Sequence, residues 1–123
     1  PKARRMRKAF GGGMRQAGFL AAAGLYALNH HIKRLKEDHK RAAELGKALA
    51  GLNWIKSVMP VDTNIVIFEI VKGITPEQVL SKLSDHQIKA IKFGAQEIRF
   101  VTHLDFDDLM LEKTIEVIKR LSF

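Results

Sequence analysis

The chain contains no cysteine, which excludes both a disulfide framework and a thiolate metal cluster and leaves five scattered histidines as the only soft ligands. No apolar run approaches the roughly 20 residues that a membrane-spanning helix needs. No succession of charged, apolar and small-residue segments reads as a secretion signal, so a cytoplasmic location is the default expectation. Internal repeats and low-complexity tracts are absent, and so are the glycine spacings of phosphate-binding loops and dinucleotide fingerprints. Acidic residues are missing from the first 15 positions, which carry Lys2, Arg4, Arg5, Arg7, Lys8 and Arg15. These six account for most of a formal charge of +8. What remains is ordinary for a folded protein: 123 residues, 46% hydrophobic and 28% charged, the size of one domain. The opening Pro-Lys-Ala-Arg-Arg reads as an excerpt of a longer chain. With few apolar neighbours to anchor them, the first 14 residues are expected to be poorly ordered or displaced.

From Met14 to about His31 the residues are mostly Ala, Leu, Gly and Met. This predicts a helix apolar nearly all round, which has to be buried on more than one side. From Ile32 to Ala50 the pattern changes: Ile32, Leu35, His39, Ala42, Leu45 and Leu49 fall on one helical stripe, while Lys33 with Glu37, Arg34 with Asp38 and Lys40 with Glu44 are spaced to pair across the wet face. Gly51 suits a left-handed stop. The division expected is a basic arm and linking helix over 1–31 and a small domain over 32–123. Within the latter, strands are expected at Trp54–Val58, Asn64–Ile70, Ile88–Phe93 and Gln96–Thr102. Asn64–Ile70 reads as an interior strand, apolar on both faces until Glu69. Thr75-Pro76-Glu77-Gln78 carries a capping box with proline in the first helical position, and Ile74 and Val79 form its hydrophobic staple. Asp105, with Asp107 and Asp108, caps a last helix whose buried stripe is Leu111, Ile115 and Ile118. The simplest architecture is an α/β (α+β two-layer) domain in which helices cover one face of a three- or four-stranded mixed sheet.

Candidates for chemistry are few. Gly11, Gly12 and Gly13 stand before the expected Met14–His31 helix between Lys8 and Arg15, where successive backbone N–H groups suit an anion; a flexible interdomain corner is the plainer reading. His30, His31, His39 and His86 do not assemble into a site, and no metal site is expected. His103 ends a strand beside a cap, where it can orient a loop. Strand alternation turns Arg99 away from the face of Ile98 and Phe100.

Three segments carry a resemblance: Arg4-Arg5-Met6-Arg7-Lys8-Ala9-Phe10-Gly11-Gly12-Gly13-Met14-Arg15-Gln16-Ala17-Gly18, Thr63-Asn64-Ile65-Val66, and Ile98-Arg99-Phe100-Val101-Thr102-His103-Leu104-Asp105. In this order they resemble the C-terminal third of threonine aldolases, and the likeness runs over essentially the whole chain. The resemblance implies the small C-terminal domain of the pyridoxal-phosphate-dependent aminotransferase-like fold, type I, preceded by a long linking helix. It implies a lyase that cleaves threonine or allo-threonine to glycine and acetaldehyde through a pyridoxal-phosphate Schiff base, as a homo-oligomer, usually a tetramer, with sites at subunit interfaces. It also implies that the Schiff-base lysine lies upstream of Lys8, in a large domain missing here, so that this chain alone is inactive and does not bind the cofactor covalently. Residue by residue, Lys8 matches a lysine near the active-site mouth, Arg15 an arginine close to the cofactor, and Arg99 the arginine that holds the substrate α-carboxylate. Gly11, Gly12, Gly13 and His103 stand one layer behind them. Two other readings remain: a lyase of the same fold acting on another β-hydroxy amino acid, and a nucleic-acid-binding module built on the basic arm. The arm has only Phe10 as an aromatic platform and no recognition motif, which weighs against the second.

Overall fold

A computed structural model describes residues 1–123. The chain forms two compact units, Pro1–Arg34 and Leu35–Phe123.

In the first unit, helix α1 spans Lys2–Ala9 and helix α2 spans Gly18–His30. The basic arm is thus helical, and its composition explains why: Lys, Arg, Met and Ala are all good helix formers, with no glycine or proline among them. Both helices bury nothing. The expected helix start at Met14 gives way to a turn, because Gln16 takes a left-handed conformation at φ 49° and delays the helix to Gly18. Gly11 and Gly12 therefore serve the end of α1. Gly11 sits at φ 81°, its N–H donates to the Lys8 carbonyl (3.1 Å), and the Gly12 N–H donates to the Arg7 carbonyl (2.7 Å). This pair of bonds is a Schellman motif. A Cβ on Gly12 would stand 2.6 Å from Arg7 Cγ and 2.8 Å from the Arg7 carbonyl oxygen, so both glycines are required by the turn.

The second unit contains helix α3 (Leu35–Ala50), strands β1 (Ile55–Val58) and β2 (Ile65–Ile70), helix α4 (Pro76–Asp85), strands β3 (Ile91–Lys92) and β4 (Glu97–Val101), and helix α5 (Asp108–Arg120). The sheet order is β1-β2-β4-β3. Every pairing is antiparallel, rather than mixed as expected from sequence. The reason lies in the connections. Helix α4 carries the chain from β2 to β3, which run in the same direction, but β3 returns through a tight hairpin at Phe93–Gln96 and β4 fills the space between them. A loop so short permits only an antiparallel return.

Val66, Phe68 and Ile70 of β2 and Ile98 and Phe100 of β4 point to one face, where they meet Ala42, Leu45 and Leu49 of α3, Val79 and Leu83 of α4, and Leu111 and Ile118 of α5. Burying each of the larger side chains contributes about 1.5–3 kcal/mol. The other face of β2 is open: Ile65 is exposed and Ile67 half-buried, so this strand is interior in the sheet without being apolar on two covered faces. On α3 the expected stripe holds at Ala42, Leu45 and Leu49 and departs from expectation only toward its start, where Leu35 is exposed. Asp38 is buried and His39 exposed; Arg41 reaches Asp108 at 2.7 Å and lies 4.0 Å from both Glu37 and Asp38. The Lys40–Glu44 pair forms at 3.8 Å. Gly51 does not adopt a positive φ; the chain leaves α3 through a Leu52 N–H bond to the Leu49 carbonyl (3.0 Å).

Helix α4 starts as the sequence predicts. The Gln78 N–H donates to Thr75 Oγ1 (3.3 Å), the Thr75 N–H donates to Gln78 Oε1 (2.8 Å), and Pro76 and Val79 are buried. Helix α5 is capped by Asp107 rather than Asp105: its carboxylate accepts from the Met110 N–H at 2.8 Å. Its buried stripe is Leu111, Thr114 and Ile118, with Ile115 half-buried against the core. The Thr114 hydroxyl is satisfied by the Met110 carbonyl (2.7 Å).

Candidate active-site face

The open face of the sheet places Arg99 at its centre. Arg99 is opposite Ile67 of β2 on one side and Ile91 of β3 on the other. Its apolar neighbours explain why Nε is buried, and that Nε has no hydrogen-bond partner. The guanidinium carbon stands 5.7 Å from the ring centre of Phe93. Of the carboxylates on the same face, Glu69 is engaged by Lys56 at 2.7 Å and by the Ser57 hydroxyl at 3.3 Å. The Lys56 hydrogen bond, reinforced by its charge, holds the Glu69 carboxyl below its ordinary range against the opposing effect of desolvation. A planar cation with an unspent donor on a half-buried sheet face is chemically suited to a carboxylate, which a guanidinium binds through two parallel N–H bonds.

Thr102 and His103 follow β4. The Thr102 hydroxyl is buried and donates to the Asp38 carbonyl (2.8 Å), tying the end of β4 to α3. His103 is exposed; its Nδ1 accepts from the Asp105 N–H at 3.2 Å, and its carbonyl accepts from the Phe106 N–H at 2.9 Å. These two bonds shape the loop into α5. His103 also lines a cleft of about 330 Å³ together with His86, Lys89, Asp105, Phe106 and Lys113. Arg99 does not line that cleft.

Lys8, Gly11, Gly12, Gly13 and Arg15 belong to the first unit, where all are exposed. The expected anion cradle of successive glycine N–H groups does not form, since those of Gly11 and Gly12 are spent on carbonyls of α1. Lys8, in the last turn of α1, and Arg15 remain as cationic side chains. Phe93 is the contact that sequence reading missed. Its available signal was the hairpin: two residues beyond Ile91, it shares a face with Arg99 and lies diagonal to it.

Comparison with known proteins gives the class and then the family. The chain is similar to histidinol-phosphate aminotransferase from Clostridium acetobutylicum (TM-score 0.53, 22% identity, 69% of this chain and 25% of that one). It is also similar to L-threonine-O-3-phosphate decarboxylase from Porphyromonas gingivalis (TM-score 0.57, 15% identity, 79% and 31%). The fold is therefore aminotransferase-like. The family model for beta-eliminating lyase matches residues 1–72, and the chain belongs to that family. Among curated relatives, low-specificity L-threonine aldolase 1 from Arabidopsis thaliana is 37% identical over 83% of this chain, and low specificity L-threonine aldolase from Escherichia coli is 41% identical over 85%. The chain spans 29% and 30% of those two proteins.

Proposed function

We propose that the protein containing this chain is a pyridoxal-phosphate-dependent lyase that cleaves threonine or allo-threonine to glycine and acetaldehyde. Within it, these 123 residues supply the substrate-carboxylate anchor and cations near the cofactor, while the lysine that bonds the cofactor lies in the remainder of the protein. The observation that carries this reading is Arg99: a guanidinium on the open sheet face, with a buried and unpartnered Nε, in a chain that is similar to threonine aldolases over most of its length.

The residues present fit such a cofactor and substrate by their charge. Arg99 is a planar fork for the α-carboxylate, and Lys8 and Arg15 are exposed cations suited to phosphate or carboxylate oxygens. When bound, the pyridoxal ring supplies the electron sink for cleavage of the Cα–Cβ bond. Arg99 fixes the carboxylate end of the substrate, and a fixed carboxylate limits which Cα bond faces the ring. Gly11 and Gly12 act one layer behind by turning the chain between Lys8 and Arg15, and His103 by shaping the loop after β4. The active form is a homo-oligomer whose subunits complete one another's sites.

The test is Arg99→Lys in the full-length protein. Lysine keeps the charge and loses the planar fork. Steady-state cleavage of threonine is expected to lose about 30-fold to several-hundred-fold in kcat/KM, a transition-state loss of roughly 2–4 kcal/mol, with weaker glycine binding and near-normal cofactor content. A strand arginine without a ligand would cost less than about 0.5 kcal/mol; unchanged kcat/KM together with unchanged glycine affinity rejects the anchor.

A further inference from the structure

We propose that Phe93 is a positioning residue that holds the Arg99 guanidinium by its face, leaving the edge of the fork free for a substrate carboxylate. This rests on the reading of Arg99 as the carboxylate anchor and adds to it the part that aims the fork.

Three observations carry the inference. The first is register. Ile91 pairs with Arg99 and Lys92 with Ile98, and the Phe93 N–H donates to the Glu97 carbonyl at 2.9 Å. Phe93 therefore stands on the open face, one diagonal step from Arg99, within reach of an aromatic side chain. The second is exposure. Phe93 is 52% exposed at a hairpin, where an aromatic ring does little for the core, yet the Arg99 guanidinium carbon lies 5.7 Å from its centre. That distance is within the range of about 6 Å over which the ring quadrupole attracts a cation. The third is the geometry of what is left over. Nε is buried without a partner beside Ile67 and Ile91, and a face-on contact of the kind proposed leaves the in-plane N–H donors for an oxygen pair.

The hairpin that carries Phe93 is itself held in place. Lys92, on the helix-covered side, bonds Glu77 of α4 at 2.8 Å, and the Gly94 N–H makes a second bond to the Glu97 carbonyl at 3.3 Å. The backbone that carries the ring is thus anchored, and the ring offers a surface against which a long, many-rotamer side chain is pre-organised. Such pre-organisation acts on affinity by reducing the ordering that binding would otherwise require.

The experiment uses the full-length protein loaded with its cofactor and measures equilibrium binding of glycine and of glycinamide, which lacks the carboxylate, by calorimetry. Phe93→Leu is expected to weaken glycine binding roughly three- to tenfold, the scale of a partly desolvated cation–ring contact. Phe93→Tyr, which keeps the ring, is expected to stay within about twofold of wild type, and glycinamide affinity to stay within about twofold throughout. In an Arg99→Lys background, Phe93→Leu is expected to change glycine binding by less than about twofold. A Phe93→Leu protein that binds glycine as wild type does, or that loses glycine and glycinamide alike, overturns the proposal, as does a Tyr variant that behaves like Leu. These failures differ from failure of the anchor itself, which would appear as glycine affinity insensitive to Arg99→Lys in the unaltered Phe93 protein and would reject both.

Discussion

Helices α2 and α3 lie near each other in sequence and invert the usual association of apolar composition with burial. Helix α2, over Gly18–His30, is almost wholly apolar and buries no residue, leaving Phe19, Leu20, Leu25, Tyr26 and Leu28 exposed. Helix α3, over Leu35–Ala50, carries charges along much of its surface and buries Ala42, Leu45 and Leu49. Periodicity rather than total hydrophobicity decides what a domain can cover: a one-sided stripe needs only one sheet face, whereas a helix apolar all round needs neighbours on several sides. Charge divides in the same place. Residues 1–34 hold eight Lys and Arg and no Asp or Glu, while the 13 Lys and Arg after them are balanced by 13 Asp and Glu. The whole excess of +8 thus belongs to the first unit.

The largest expected effect separates the two units by stability. Phe68→Ala, at a fully buried position in the middle of β2, is expected to cost about 3–5 kcal/mol in the denaturant-induced unfolding of the 123-residue chain. Leu25→Ala in α2 is expected to cost less than about 0.5 kcal/mol in the same measurement. Equal losses would break the comparison.

Next comes a pair of glycines. A Cβ on Gly46 of α3 would stand 2.8 Å from Val61 Cγ2, so Gly46→Ala is expected to destabilise by about 1–3 kcal/mol through overpacking. Gly24 of α2 has nothing within 4 Å of such a Cβ. Gly24→Ala is therefore expected to raise helix content by circular dichroism without lowering the unfolding midpoint.

Caps sharpen the contrast further, because α4 has a complete capping box whereas α1 and α2 have no side-chain cap at all. Thr75→Ala is expected to cost about 1 kcal/mol by thermal or denaturant unfolding.

The smallest expected effect is electrostatic. Arg41 holds the Asp108 carboxyl below its ordinary range, first by hydrogen bonding and then by charge, and Glu77 is lowered by its hydrogen bond from Lys92. Their folded-state values lie below the unfolded ones, so they contribute fully above the unfolded carboxylate range of about 4 and lose that contribution as pH falls through the lowered values. Tm measured from pH 6 downward should therefore fall on the acid side, and Arg41→Met should make that fall shallower. The first unit, with no carboxylate side chain, should add nothing to it.

The elements themselves were readable because their signals are local: the Thr75-Pro76-Glu77-Gln78 box, the alternation of Ile98 and Phe100 against Arg99, and the helical spacing of Ala42, Leu45 and Leu49. Errors arose where two local rules competed. Glycines before a helix suggested its start, but the preceding run of good helix formers used them as a stop. Among three closely spaced aspartates Asp107 became the cap, because Asp105 lies in the turn closed by the Phe106 N–H on the His103 carbonyl and the helix begins only at Asp108.

The sequence by itself determined the class of fold, the family and the side of β4 on which Arg99 stands, since each follows from patterns a few residues long or from blocks that match relatives. Only the tertiary structure decided that Asp38 is buried in place of His39, that β4 enters between β2 and β3, and that Phe93 meets Arg99. Those outcomes depend on how β4 pairs with β2 on one side and β3 on the other, and on how α3 is rotated against the sheet. Such arrangements join residues distant in the chain, so no local pattern determines them.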